Sequence, residues 1–162
     1  MMVPTPPPPA HPAPAPEAPR PALRAQYAWG YAGPEGEGRG TLSLLLDPAS
    51  GRLVLELHGL GERLLLLTGN RSEGYHLQVP RQGVDTRSAD LSSLPLPFLP
   101  ALGTVEGLHR LIAQGEGPGV KARRFDASGP RNLRYQGRDD RGNEITVWLT
   151  RSRWEPLAPA AP

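Results

Sequence analysis

The stretch RLVLELHGLGERLLLLT, residues 52–68, decides how this chain folds. Leu53, Leu55 and Leu57 fall on one face, and Val54, Glu56 and His58 on the other. That alternation of period two predicts a strand. Gly59-Leu60-Gly61 then separates it from a second Leu-rich run, Arg63 to Thr68. Two strands joined by so short a loop form a hairpin with Leu60 at its tip, where it cannot easily reach a core. Such a side chain is either pushed outward by geometry or placed to touch something apolar. Scattered exposed leucines are also ordinary on protein surfaces. The run from Arg63 is almost continuous Leu, which predicts cover on both of its faces, at least in part.

Working outward, the same pattern continues. Thr41 to Leu46 puts Leu42, Leu44 and Leu46 on one face, and Asp47-Pro48-Ala49-Ser50-Gly51 turns the chain into the next strand. Gln26 to Tyr31 is an aromatic strand. After the turn Gly69 to Gly74, Tyr75, Leu77 and Val79 alternate again. Leu94 to Pro100 is apolar but too rich in proline for a central strand. Thr104 then caps a short amphipathic helix carrying Val105, Leu108, Leu111 and Ile112, which stops at Gly115. Lys121 to Ala127 and Asn132 to Gln136 are further strands. Asp139 to Asn143 is a turn, and Glu144 to Arg153 closes the pattern. About eight antiparallel strands must curl or pair with a second layer, and one short helix cannot form that layer. The fold class expected is mainly β (α+β). It is a strongly curved sheet, its concave face lined by Leu, capped by the helix and the Pro-rich loop.

Residues 1–24 form a separate regime, with ten prolines between Pro4 and Pro21. Such a segment lacks the amide donors a sheet needs and predicts an extended, semi-rigid spacer. It is either a passive linker or a Pro-rich ligand for a partner domain. Residues 25–156 form the folded domain, and residues 157–162 a frayed tail.

Composition narrows the function. There is no cysteine, which excludes disulfides, a Cys-based zinc site and a thiol nucleophile. Net charge is +2, and 17 of the 18 basic residues are Arg; they are not clustered with aromatics, which argues against nucleic acid. No apolar stretch approaches the ~20 residues of a membrane span, and no leader follows Met1. His11, His58, His76 and His109 lie on separate elements without metal-ligand spacing. Asp139-Asp140 is turn chemistry. Ser43, Ser72 and Ser92 lack a nucleophile elbow, and Gly115 to Gly119 lacks the strand–Gly–helix order of a phosphate loop. The expectation is a non-enzyme with no cofactor and no metal.

Taken in order, these motifs resemble the LolA/LolB family, over roughly Gln26 to Glu155. A hairpin of long strands leads to a short Pro-Leu-Gly-like loop, matched by Gly59-Leu60-Gly61. A Leu-type strand and a polar hairpin follow. An apolar Pro-containing segment before a helix ending in Gly is matched by Leu94 to Gly115. A C-terminal strand of basic-polar-Trp pattern is matched by Ile145 to Trp154. The resemblance implies an unclosed antiparallel β-barrel with a hydrophobic cavity and a periplasm-facing, outer-membrane-associated location. It implies lipid or lipoprotein acyl chains as ligand, and a periplasmic carrier protein and the membrane surface as partners. It also implies that Leu60 protrudes and acts in handing a lipoprotein to the membrane. The chain departs from the family in lacking a lipidated Cys or leader. The short segment between Val120 and Gly137 implies a truncated strand pair.

The candidate cavity lining is Leu44, Leu55, Leu57, Leu65 and Leu67 from the sheet, Phe98 and Leu99 from the Pro-rich loop, and Leu108, Leu111 and Ile112 from the helix. Trp148 is either a wall of that cavity or a surface aromatic. The sheet leucines form either an ordinary filled core or the wall of a hollow wider than its thin cover. With a hollow, the domain binds acyl chains. With a filled core, it is a structural or adaptor protein of the envelope that binds a protein partner.

Overall fold

The computed structural model describes residues 21–34, 36–95, 103–139 and 141–157. Nine strands form one antiparallel sheet: β1 (Leu23–Gly33), β2 (Gly36–Asp47), β3 (Arg52–Gly59), β4 (Glu62–Asn70), β5 (Gly74–Val79), β6 (Val84–Ser88), β7 (Val120–Asp126), β8 (Gly129–Arg138) and β9 (Glu144–Pro156). Their order across the sheet is β6-β5-β4-β3-β2-β1-β9-β8-β7, so the sheet is unclosed, with β6 and β7 at its edges. Among the described residues one α-helix, α1 (Val105–Gln114), lies against it, touching both β2 and β8.

The alternation in the sequence sets the two faces. On the helix side, Leu44 sits opposite Leu55, and Leu55 opposite Leu67, a row of leucines across three strands. Leu23, Leu46, Leu53 and Leu77 extend it. Removing each such side chain from water contributes about 1.5–3 kcal/mol. The helix supplies Val105, Leu108, His109, Leu111 and Ile112 to the same cluster region, all buried. Its start is fixed by Thr104, whose Oγ1 accepts a hydrogen bond from the Gly107 amide at 2.8 Å, satisfying one orphan donor of the first turn. Its end is fixed by Gly115 at φ 72°, whose amide donates to the Leu111 carbonyl at 2.8 Å. Glu106 in the first turn pairs with Arg71, which also donates to the carbonyls of Pro48 and Ala49, both at 3.2 Å.

Three expectations change. The sheet has nine strands and not eight, because β6 was not visible: Val84-Asp-Thr-Arg-Ser88 carries one apolar residue and joins the sheet through backbone pairing with β5. The β7–β8 hairpin is not truncated, since β7 has 7 residues and β8 has 10. β1 begins at Leu23, so Leu23 and Arg24, assigned to the arm, belong to the sheet, where Leu23 pairs with both Leu46 and Pro156. Of the Pro-rich segment expected as cover, Leu94 is buried in the core, and residues 96–102, Phe98 and Leu99 among them, lie outside the described residues.

Candidate functional site: the Leu60 turn and the faces of the sheet

Leu60 is 84% exposed at the tip of the β3–β4 hairpin. Gly59 pairs with Glu62, leaving Leu60 and Gly61 as a two-residue loop. Both have positive φ, 54° and 77°. That is the backbone of a type I′ turn, whose twist matches the flanking strands and whose first position favours Asn, Asp or Gly. A left-handed conformation costs an ordinary L-residue roughly 1–2 kcal/mol. Leucine therefore stands in a conformation it disfavours, with its side chain in water.

The turn rests on a firm base. Trp29 on β1 donates its indole Nε1 to the His58 carbonyl at 3.0 Å and to the Thr41 carbonyl at 3.1 Å. It can lie that close because Gly59 has no side chain: a Cβ there would meet Leu64 Cδ1 at 2.9 Å and Trp29 at 3.1 Å. Leu64 reaches this position through a β-bulge. Leu57 faces Leu65, but His58 faces Arg63, so β4 carries one extra residue. Beside the turn, Glu62 pairs with Arg81. On the far face, Glu56 accepts from His58 at 3.0 Å and lies 3.9 Å from Arg63.

Most of the expected cavity lining is brought together. Leu44, Leu55, Leu65, Leu67, Leu108, Leu111 and Ile112 are all buried in one cluster, with Leu57 partly buried against it. A small space between α1 and β7–β9, lined by Leu111, Val120, Leu133, Tyr135, Val147 and Leu149, measures about 10 Å³, room for about one water. Among the described residues, α1 packs its apolar side against the β2 and β8 part of this face. Trp148 is not part of that face. It pairs with Gly30, and a Cβ on Gly30 would meet its ring at 3.2 Å. Its neighbours Val147 and Leu149 point to the helix side, so strand alternation sends Trp148 to the far face, 40% exposed.

Arg151 is a buried cation that the sequence reading missed. Ile145, Val147 and Leu149 all face the helix side, so Arg151 does too by phase, and that phase was the signal available. It is 8% exposed. It donates to the Pro130 carbonyl at 3.3 Å and to Asp126, and lies 5.3 Å over the Trp154 ring. A bulge at Ser152 turns Trp154 to the same face. The Arg151 hydrogen bond, then the Ser128 amide, hold the Asp126 carboxyl below its ordinary value of 3.8. Burial pushes the Tyr27 hydroxyl upward, against the pull of nearby Arg151.

His76 meets Asp85 at 2.5 Å, and His109 is buried and engaged; His11 lies outside the described residues. No group of three His, Cys, Asp or Glu side chains among the described residues is placed to hold a metal ion. No protein-family model matches the chain, and no curated protein matches it by sequence.

Proposed function

We propose that this domain is a non-enzymatic, LolB-like module of the cell envelope that makes its apolar contact through Leu60, with a lipid surface or a lipoprotein acyl chain. The nine-stranded sheet acts as an unclosed half-barrel that holds the turn rigidly. The exposed, conformationally disfavoured leucine supports this reading: an apolar side chain kept in water at a cost of backbone strain is a functional outlier. Burying one Leu contributes about 1.5–3 kcal/mol, enough to bias a transfer step but not to anchor a protein. An acyl chain that enters the helix side of the sheet displaces α1 from its contacts with β2 and β8.

Vesicle flotation tests the proposal. Wild-type protein associates with phospholipid vesicles, and Leu60→Glu loses that association while keeping the wild-type circular dichroism spectrum. Equal flotation of both proteins removes the role of Leu60.

The deep burial of the sheet leucines supports a second reading, an envelope adaptor whose Pro-rich arm contacts a protein partner. It predicts no uptake of a fluorescent fatty acid and no lipid retained in native mass spectrometry.

A further inference from the structure

On the far face, beside the Leu60 turn, lies a second feature. A hollow of about 360 Å³ is floored by β1 at Ala28–Tyr31 and walled by Trp148 and Thr150 on one side and by Glu37, Gly38 and Arg39 on the other. Its floor is low because the outward positions of β1 there are Ala28 and Gly30. Two opposite charges line one wall. Glu37 pairs with Ala32 and Arg39 with Gly30, so they sit two residues apart on one face of β2. Two residues of strand span roughly 6.5 Å. Neither side chain has a hydrogen-bond or ion-pair partner among the described residues. The opposite wall is the exposed indole of Trp148. Arg39 also adjoins the Leu60 turn: its carbonyl lies 3.1 Å from where a Gly59 Cβ would be, one residue beyond the Gly40–Gly59 pair.

We infer that this hollow binds the headgroup of an aminophospholipid on the surface that Leu60 enters. Arg39 takes the phosphate, and Glu37 takes the ammonium. The Trp148 ring adds the attraction of an aromatic face for a cation and stands where membrane proteins place interfacial Trp. A purely anionic headgroup complements Arg39 but meets Glu37 unfavourably, so the pair of charges selects a zwitterion. The inference rests on the Leu60 reading and names the lipid chemistry of that same contact.

Flotation on phosphatidylcholine vesicles doped with either phosphatidylethanolamine or phosphatidylglycerol tests it. Wild-type protein binds the ethanolamine vesicles more tightly. Glu37→Gln abolishes or reverses that preference. Arg39→Gln weakens binding to the phosphatidylglycerol vesicles about fivefold, the effect of one basic residue at an anionic lipid surface, and weakens binding to the ethanolamine vesicles as well, and Arg39→Lys restores most of both. Arg24→Gln, an equal charge change at the opposite end of β1, has no effect. A wild-type preference for phosphatidylglycerol, an unchanged preference in Glu37→Gln, or equal losses in Arg24→Gln and Arg39→Gln overturns the headgroup site. If those results occur while Leu60→Glu still abolishes flotation, the tip contact stands and only the headgroup site falls. If wild-type protein floats with neither vesicle, both fall.

Discussion

Trp29 and His58 are tied by a hydrogen bond of 3.0 Å from indole nitrogen to backbone carbonyl, which locks β1 to the base of the Leu60 turn across the intervening strand. The same nitrogen reaches Thr41 on that strand. Trp29→Phe removes both bonds and keeps much of the ring packing. A hydrogen bond of this kind contributes about 0.5–1.5 kcal/mol. The expected outcome is a small loss of stability, with faster amide hydrogen exchange concentrated around Gly59 to Glu62. Uniform acceleration over the whole sheet contradicts a local bracing role.

Leu60→Asn separates strain from function. Asn suits the first position of a type I′ turn, and relieving leucine's left-handed strain stabilises the fold by about 0.5–1 kcal/mol. Urea unfolding is expected to show the gain while vesicle association falls. A variant that is both less stable and unimpaired in binding counts against the strained-tip account.

The two faces of the sheet respond differently to truncation. Leu55, at 1% exposure in the core row, is expected to cost about 2–5 kcal/mol as Leu55→Ala. Trp148→Ala, on the far face, is expected to cost less than about 1 kcal/mol of fold stability despite removing a larger side chain. Equal costs place Trp148 in a packed core, contrary to its observed position.

Acid weakens the β7–β8 corner. Asp126 is depressed below its ordinary value of 3.8, chiefly by Arg151, so its contribution is complete above that value and is lost as pH falls through the lower folded value. Asp85, held down by His76, and Asp139, held down by the Asn143 amide, act in the same direction. The urea midpoint is expected to drop from neutral pH to about pH 3, and Asp126→Asn narrows that drop. A midpoint independent of pH across this range contradicts the Arg151–Asp126 pairing.

Much of the sheet was legible because leucines at alternate positions leave only one phase for a half-buried strand. Thr104 and Gly115 bounded α1 for the same reason: each satisfies a specific terminal backbone group. β6 was not legible, because Val84 to Ser88 has one apolar residue and no alternation, and the backbone pairing and His76–Asp85 contact that join it to β5 leave no periodic signal. The state of the helix-side face was not legible either. Alternation places Leu44, Leu55 and Leu67 on one side but carries no information on where α1 seats against it. Leu60 stood out from its flanking glycines, whereas its support by Trp29 and Leu64 depended on a bulge that no periodicity marks. Trp148 could have been assigned to the far face from its phase against Val147 and Leu149.

The chain's lack of cysteine permits a direct test of the central claim, that the Leu60 tip is the part that leaves water. Leu60→Cys, labelled with a polarity-sensitive fluorophore, is compared with Glu73→Cys labelled in the same way in the β4–β5 turn at the opposite end of the sheet. On adding phospholipid vesicles, emission from position 60 is expected to shift to shorter wavelength while emission from position 73 stays unchanged. A shift at 73 equal to that at 60, or none at 60, contradicts the account.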